Sequence, residues 1–376
     1  MNWDYEQPVS IIFGNGRISE ISDVVKKVGG SKGLLVLPEY FVKNGTADKI
    51  KSLAGDTVAE IFTSVSPNPD VTEVDNCADV IRKNNIDFVI AAGGGSIMDC
   101  AKAAATVSTI DDTIRSYHGT GKSLPNTKLP LIAVPTTSGT GSEVTCVAVL
   151  TDRENGKKAP IVCDNFFPDY AVIDPELTYS VPQYITASTG LDVLCHAIEG
   201  FWSKGHQPIC DACAIYSADI VFKYVLKAFY EPDNAEAREK MAEASVIAGL
   251  AFTLPKTTSS HACSFPLTNI YHIPHGEACA LTLDYFARIN KDAENGRTQD
   301  FAKKLGFENV DDMADRIVEL KKEMGLRCDL KEFNLSDSQI DDLVRISRHP
   351  NLLNNPVEIT DEILYEMYNS MRGVIL

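Results

Sequence analysis

The sequence is poor in positive charge and in long apolar runs, and both shortages exclude classes of protein. Its 376 residues contain 35 Lys and Arg against 52 Asp and Glu, which gives a formal net charge of −17. Such a surface repels phosphate groups, so we expect neither nucleic acid nor a membrane as partner. No stretch approaches the roughly 20 apolar residues that span a bilayer. Residues 1–6 have neither the basic nor the apolar part of a secretion signal. We therefore expect a cytoplasmic protein.

Repeats and low-complexity tracts are also lacking, and the cysteines do not form the two nearby pairs of a zinc site. The ten cysteines are scattered, and although Cys210 and Cys213 form a C-x-x-C pair, no second pair lies nearby to complete a zinc site. This distribution indicates reduced thiols in an apolar core rather than disulfides, with a redox role for the pair as the alternative. The length exceeds that of one ordinary core and predicts two domains.

The two halves of the chain differ in their hydrophobic periodicity. Short β-rich runs at 34–37, 58–62, 88–91 and 131–134 alternate with helical stretches near 42–53, 71–84 and 96–107. That alternation predicts a parallel sheet with helices on both faces. From Tyr184 onward the periodicity is helical almost throughout. We expect an α/β domain over residues 1–183 and an all-α domain over residues 184–376.

Two polar loops follow predicted strands in the first half. Gly93, Gly94 and Gly95 come after the strand at 88–91, and Ser96 then begins a helix. Glycines let backbone N–H groups approach a pyrophosphate, and the positive end of a helix favours one. The second loop, 135–143, is rich in hydroxyls and glycine. Two such loops at the carboxyl ends of parallel strands predict a dinucleotide site.

Four side chains in the second half are suited to binding one metal ion. Asp192 and His196 lie four residues apart in a predicted helix and therefore share a face. His261 and His275 belong to two further short motifs. One carboxylate and three imidazoles suit a divalent transition metal, typically iron or zinc. A metal and a nucleotide in one acidic chain indicate an oxidoreductase.

Taken together, these motifs resemble the iron-containing (group III) alcohol dehydrogenase family. The matching segments lie in the order that the family shows: 93–102, 135–143, 171–177, 189–199, 261–262 and 274–276. The resemblance implies a Rossmann-like nicotinamide-binding domain at 1–183 and a helical metal-binding domain at 184–376. It implies Fe²⁺, with Zn²⁺ or Mn²⁺ as alternatives, on Asp192, His196, His261 and His275, with no catalytic residue beyond the metal centre. It implies cofactor contacts from Asn68, Gly94, Gly95, Ser96, Asp99, Thr136, Thr137, Thr140 and Lys158.

Two positions depart from the family pattern. Many members end the first strand with an aspartate that binds the adenosine ribose, whereas here Pro38 takes that position and Glu39 follows. Glu39 can accept a ribose hydroxyl and repels a 2′-phosphate, so we expect NAD(H). Many members also carry a second histidine four residues after the third ligand. Here that residue is Phe265, which we assign to the substrate site, and His272 is the candidate to replace the missing histidine, an ordinary histidine being the alternative.

The residues before His261 carry the clue to the substrate. Lys256, Thr257 and Thr258 begin a run of donors that suits an anion, although hydroxyls that merely cap a helix are the alternative. The run resembles the subgroup that reduces sulfoacetaldehyde or phosphonoacetaldehyde. We expect reduction of a short aldehyde, with sulfoacetaldehyde to isethionate favoured, by a homodimer.

Other functions remain open at this stage. A general dehydrogenase of butanol or 1,3-propanediol has the same site chemistry. A zinc enzyme of the glycerol dehydrogenase or dehydroquinate synthase type, a metal-dependent hydrolase and a non-catalytic binding protein fit the motifs less well.

Overall fold

The computed structural model describes residues 2–373, which separate into two compact units. The α/β unit comprises Glu6–Thr137 and Gly141–Ser180. The helical unit comprises the chain from Val181 onward together with Ser138–Thr140 and the residues up to Tyr5. The predicted domain boundary between residues 183 and 184 stays a prediction.

The α/β unit is built on a parallel sheet of six strands. Elements are numbered in chain order, and the strands are β1 (Ser10–Phe13), β2 (Gly33–Val36), β3 (Val58–Phe62), β4 (Phe88–Gly93), β5 (Leu131–Pro135), β6 (Val147–Asp152), β7 (Lys157–Val162) and β8 (Tyr170–Ile173). The sheet has the order β1-β8-β5-β4-β2-β3, while β6 and β7 form a separate antiparallel pair. The helices are α1 (Ile21–Lys27), α2 (Glu39–Lys43), α3 (Thr46–Ala54), α4 (Val71–Asn84) and α5 (Gly95–Val107).

Alternate residues of the central strands enter two different apolar cores. Val89 and Ala91 of β4 pack in the core that contains α4 and α5, whereas Phe88 and Ile90 pack in the core that contains α1 and α3. Successive side chains of a strand point to opposite faces, so a sheet covered on both faces needs a continuous apolar run. The predicted parallel sheet with helices on both faces is therefore confirmed.

The helical unit has a single large core. Its helices are α6 (Gln183–Trp202), α7 (Pro208–Tyr230), α8 (Ala235–Phe252), α9 (Ser259–Tyr271), α10 (His275–Ile289), α11 (Arg297–Lys304), α12 (Val310–Glu323), α13 (Asp337–Ile346) and α14 (Asp361–Arg372). Helix α6 is buried on nearly every side, which explains its almost continuous apolar sequence. This confirms the predicted α-helical second half. Within residues 2–373, no helix has the length and apolar character needed to cross a membrane.

Candidate active site

The first predicted ligands lie on α6, the buried helix of the second unit. Asp192 and His196 are one turn apart on that helix, and both are almost fully buried. Helix α10 packs closely on α6 at Gly276, where a Cβ atom would lie 2.2 Å from the carbonyl oxygen of Ser188. Only glycine permits this approach, which brings the neighbouring His275 to Asp192.

A buried carboxylate orients His261 on α9. Nδ1 of His261 makes a short hydrogen bond to Glu199, which is completely buried. Glu199 also accepts the hydroxyl of Thr258 at 2.8 Å and the backbone N–H of Ser260 at 2.7 Å. Because the carboxylate holds the Nδ1 proton, Nε2 of His261 is left as an acceptor. A carboxylate behind an imidazole is the usual support of a metal-binding histidine.

Two imidazole nitrogens face one another at the centre of the site. Nε2 of His261 lies 3.0 Å from Nε2 of His196. Nδ1 of His196 lies 3.3 Å from the carbonyl oxygen of Gly139, which can only accept, so Nδ1 carries the proton and Nε2 carries a lone pair. Two lone pairs at this distance repel unless a cation lies beside them. The pair therefore requires a bound cation, either a proton or a metal ion.

The electrostatics of the pair agree with this reading. Burial, together with the neighbouring His261, lowers the pKa of His196 well below its usual value. Burial also disfavours the charged form of His261, but the charge of Glu199 outweighs it and raises the pKa of His261. The two shifts have opposite directions, so His261 is the ring of the pair that holds an additional proton more readily.

The structure groups further donor atoms around this pair. Ligand atoms of Asp192, His261, His275 and Cys279 all lie within 4.8 Å of one another. His196 joins the group through its contact with His261, so all four predicted ligands come together. Carboxylate, imidazole and thiol donors fit a divalent iron or zinc ion. The assignment of each residue as a ligand stays a prediction.

Glu199 and Cys279 were missed by reasoning from the sequence, although both carry a periodicity signal. Glu199 lies seven residues after Asp192 and three after His196, and so on the same face of α6. Cys279 lies four residues after His275 on α10. His272, the candidate replacement for the missing histidine, ends α9 in a left-handed conformation and is exposed, outside this group of donor atoms.

The predicted substrate residues lie around the beginning of α9. Lys256 has a φ of 69°, and its amine donates to the carbonyl of Thr253 at 2.7 Å. The hydroxyl of Thr257 accepts the amide of Asn351 at 2.8 Å. Phe265, one turn after His261, is 8% exposed, and its ring centroid lies 4.5 Å from that of His349.

Thr258 has a different environment from its neighbours. It is fully buried, and its hydroxyl donates to Glu199 and accepts the indole N–H of Trp202 at 2.7 Å. Its observed role is to orient Glu199, because both hydrogen-bonding capacities are used there. The contacts of Lys256, Thr257, Thr258 and Phe265 with substrate stay predictions.

The glycine loop of the α/β unit has the form of a phosphate cradle. Helix α5 begins at Gly95, directly after β4. A Cβ atom on Gly94 would lie 3.2 Å from the hydroxyl of Thr137, and Thr136 donates its N–H to the carbonyl of Gly93 at 3.0 Å. The loops that follow β4 and β5 are therefore adjacent, and a side chain at position 94 would crowd the hydroxyl of Thr137.

Three more predicted cofactor residues form a chain beside this loop. Ser96 accepts the backbone N–H of Asn68 at 3.2 Å, and Lys158 donates to the side chain of Asn68 at 2.8 Å. Glu39 is exposed at the start of α2, 3.0 Å from Lys43. Thr140 belongs to the segment that groups with the helical unit.

Asp99 faces the protein interior instead of the loop. It accepts the hydroxyl of Ser142 at 2.8 Å and the N–H of Val149 at 2.9 Å, and burial raises the pKa of its carboxyl group. These contacts anchor β6 to α5. Its predicted contact with the cofactor stays a prediction, as do those of the other residues of this unit.

Comparison with known proteins shows the family to which the chain belongs. Residues 8–175 match the iron-containing alcohol dehydrogenase model, and residues 186–371 match the C-terminal model of the Fe-containing alcohol dehydrogenase family. The chain is 64% identical to the sulfoacetaldehyde reductase of Bifidobacterium kashiwanohense, solved in complex with NAD⁺, over 99% of both chains, with a TM-score of 0.97. It is 32% identical to the 1,3-propanediol dehydrogenase of Citrobacter freundii over 97% of this chain and 98% of that one. It is 35% identical to alcohol dehydrogenase 4 of Schizosaccharomyces pombe over 89% of this chain and 80% of that one. The resemblance inferred from the motifs is thereby confirmed, and the chain belongs to the iron-containing alcohol dehydrogenase family.

Proposed function

We propose that the protein is a metal-dependent aldehyde reductase that uses NADH to reduce sulfoacetaldehyde to isethionate. The observation that carries this proposal is the 64% identity, over 99% of both chains, to the sulfoacetaldehyde reductase of B. kashiwanohense. The facing imidazoles of His196 and His261 supply independent support, because their geometry requires a cation. We further propose that the chain acts as a homodimer in the cytoplasm.

The residues of the helical unit hold and orient the metal. Glu199 keeps the Nδ1 proton of His261, and the carbonyl of Gly139 keeps that of His196, so each ring presents Nε2. Asp192 adds a negative charge that offsets part of the charge of a divalent ion. When bound, Fe²⁺ supplies Lewis acidity that polarises the aldehyde oxygen, and NADH supplies the hydride. Phe265 carries no proton to relay, which excludes it as the acid in this reaction.

The residues of the α/β unit bind and orient the nucleotide. The loop at 93–95 offers backbone N–H groups and the positive end of α5 to the pyrophosphate. Glu39 can accept a ribose hydroxyl, while its charge disfavours the additional phosphate of NADPH. Asn68, tied to Ser96 and Lys158, fixes the polar rim of the same loop.

The proposed function is tested by the rate of NADH oxidation in protein reconstituted anaerobically with Fe²⁺. Sulfoacetaldehyde, phosphonoacetaldehyde and butanal are compared in parallel. We expect kcat/KM for sulfoacetaldehyde to exceed that for butanal by about 100-fold, which is about 2.7 kcal/mol of transition-state discrimination. Equal or faster turnover of butanal would instead identify a general short-chain alcohol dehydrogenase. Consumption of an aldehyde in a parallel reaction without NADH would indicate a reaction other than reduction.

The predicted role in substrate binding of the donors before His261 is tested with a matched pair of threonine variants. Thr257→Val should raise KM for sulfoacetaldehyde about ten-fold, or about 1.4 kcal/mol, and leave KM for butanal nearly unchanged, because only the anionic substrate needs the donor. Thr258→Val is the control, since its hydroxyl supports Glu199. It should lower metal retention and affect both aldehydes alike. Equal effects of Thr257→Val on the two aldehydes would contradict the predicted anion site.

A further inference from the structure

The last part of the helical unit places a histidine against Phe265, a predicted substrate residue. The ring centroids of His349 and Phe265 lie 4.5 Å apart. Phe265 follows His261 by one turn of α9, so both side chains lie on the same face of that helix. The side chain of His349 is only partly buried and is therefore accessible from solvent. Reasoning from the sequence did not single out this histidine.

A backbone hydrogen bond fixes the position of the proton on this ring. The N–H of Asn351 donates to Nδ1 of His349 at 3.2 Å, so Nδ1 carries a lone pair and Nε2 carries the proton of a neutral imidazole. Burial lowers the pKa of His349, which agrees with a neutral ring. Within residues 2–373, the hydrogen bond that engages the ring is the one at Nδ1. The Nε2–H group is therefore a donor that a ligand can use.

The side chain of Asn351 fixes a second donor, Thr257. Its amide donates to the hydroxyl oxygen of Thr257 at 2.8 Å. In the part of the chain that the structure describes, this is the hydrogen bond of that hydroxyl, which leaves its own proton for another acceptor. One residue thus holds two neutral donors, the O–H of Thr257 and the Nε2–H of His349.

Two further asparagines fasten this segment to the start of α9. Asn354 donates its side-chain amide to the carbonyl of Pro255 at 2.7 Å. Asn355 accepts the hydroxyl of Ser259 at 3.0 Å. These bonds hold the turn at Pro350–Asn354 in place. The donors are therefore ordered before a ligand arrives, which lowers the entropic cost of binding.

The positive charges nearest in sequence have partners of their own. Arg348 donates to Asp361 at 2.6 Å, and Arg345 donates to Asp342 at 2.6 Å. Neutral donors are what remains for a ligand in this segment. A hydrogen bond to an ionised acceptor is stronger than one between neutral groups. The two unused donors therefore suit an anionic group better than an apolar chain end.

We propose that His349 and Thr257 bind the sulfonate of sulfoacetaldehyde and that Asn351 positions both of them. The proposal deepens the proposed function and rests on it. One turn of helix rises about 5.4 Å, which is comparable with the length of a two-carbon substrate. The spacing of Phe265 from His261 therefore agrees with an anion site one substrate length from a predicted metal ligand. His349 and Thr257 then determine specificity.

Two substitutions of His349 distinguish a donor from a residue that only caps the turn. Asn keeps an acceptor near the position of Nδ1, where it can cap, but has no group at the position of Nε2. Gln places an amide N–H near the position of Nε2 and is a poorer cap. In iron-loaded enzyme, His349→Asn should raise KM for sulfoacetaldehyde about ten-fold with little change in kcat. His349→Gln should raise it by less than about three-fold.

Inhibition of butanal reduction by ethanesulfonate gives a second readout, because this anion has no aldehyde oxygen. Its inhibition constant should rise about ten-fold in His349→Asn. Asn351→Ala keeps the backbone N–H that holds His349 but releases Thr257, so a rise of about three-fold is expected. His272→Asn is the matched control, since His272 is exposed and Asn tolerates its φ of 56°. This control should behave as the wild type.

The outcomes separate this inference from the proposed function. A wild-type preference for sulfoacetaldehyde that survives His349→Asn would overturn the inference and leave the proposed function intact. A loss in His349→Gln that is absent in His349→Asn would also overturn it, because the residue would then act by capping the turn. A wild type that reduces butanal but not sulfoacetaldehyde would overturn both.

If the His349 variants fold poorly, a crystal structure of the wild type with NADH and isethionate decides the matter. A sulfonate oxygen within hydrogen-bonding distance of Nε2 of His349 supports the proposal. A sulfonate bound away from His349 overturns it.

Discussion

Each unit of the protein buries a cluster of ionisable side chains. The two clusters differ in whether their hydrogen-bonding groups all find a suitable partner within the cluster. In the α/β unit, Lys102 is 1% exposed and donates to Ser142 at 2.7 Å, to Thr145 at 3.1 Å and to the carbonyl of Val147 at 3.0 Å. An ammonium group has three donors, so this set is complete. The hydroxyl of Ser142 in turn donates a hydrogen bond to Asp99.

In the cluster of the helical unit, formed by His196, His261 and Glu199, the hydrogen-bonding groups do not all have suitable partners. Its backbone and carboxylate partners fix the outer nitrogens of His196 and His261, and the inner nitrogens then face each other at 3.0 Å. Shifted pKa values occur in both clusters. Burial lowers the pKa of Lys102 to about 8 and raises that of Glu143 to about 7 in the α/β unit, and burial lowers the pKa of His196 in the helical unit. A perturbed pKa alone therefore does not identify a functional site. The helical cluster is distinguished by the two facing acceptor nitrogens of His196 and His261, which require a cation.

The largest effect on activity is expected from a substitution in the cluster of the helical unit. His261→Ala removes one predicted metal ligand, and loss of Lewis-acid stabilisation should lower kcat/KM by about 10⁴-fold, equivalent to about 5 kcal/mol. His118→Gln is the control, because His118 is also buried but lies in the α/β unit, with its Nε2 3.0 Å from the carbonyl oxygen of Leu150. Steady-state kinetics with iron-loaded proteins measure both. Activity of His261→Ala within ten-fold of the wild type would contradict the account.

A substitution in the cluster of the α/β unit should instead lower the stability of the protein. Lys102→Met leaves Asp99 and Glu143 without the positive charge that offsets theirs. Removing one partner of a buried ionic group typically lowers the free energy of unfolding by about 3–5 kcal/mol. Denaturant unfolding measures this loss, and the metal content of the folded variant should stay at the wild-type level. Loss of metal without loss of stability would reverse the roles assigned to the two clusters.

The pH dependence of stability sharpens the difference further. Between pH 4.5 and 7 the folded protein holds a proton on Glu143 that the unfolded chain releases, because the pKa is raised from 4.5 to about 7 by burial. The stability contributed by this proton is therefore present at low pH and is lost as the pH rises through 7. The shift corresponds to about 3 kcal/mol.

Glu143→Gln removes this titration. The free energy of unfolding of the variant, relative to the wild type, should rise by about 3 kcal/mol between pH 4.5 and 8. Denaturant unfolding at both pH values measures the difference. Parallel pH profiles of the two proteins would show that Glu143 is not held in the buried environment observed.

A smaller effect is expected from replacing a residue that orients a predicted metal ligand. Glu199→Gln keeps the shape of the side chain but weakens the hydrogen bond that orients His261, and it should lower metal affinity by about 10–100-fold. Competition with a chelator measures the affinity. Glu277→Gln is a matched control, since Glu277 is a buried carboxylate of the same unit that pairs with Arg327 at 3.0 Å. Equal losses in the two variants would indicate general destabilisation.

Much of the fold could be predicted because buried strands and helices have characteristic apolar patterns in the sequence. Strands such as β4 and β5 are covered on both faces and are apolar at every position, which identifies them. Strand β1 has only four residues at the edge of the sheet, and its first two are exposed, so it carries no such pattern. Its pairing with β8 depends on contacts far away in sequence.

The site was predictable where ligands follow helical spacing. Asp192 and His196 share a face of α6 by periodicity alone, and the same reasoning reaches Glu199. The approach of His275 to Asp192 depends on the close packing of α10 on α6 at Gly276, which a sequence does not show. The contacts of Thr258 with Glu199 and Trp202 form only in the folded chain, so the sequence did not indicate them, and its contact with substrate stays a prediction.

Calorimetric titration of the metal-free protein with Fe²⁺ under anaerobic conditions tests the central claim most directly. The account predicts saturable binding of a single ion per chain, abolished in His261→Ala and retained in Lys102→Met. Absence of saturable binding, or binding that survives the loss of His261, would contradict it.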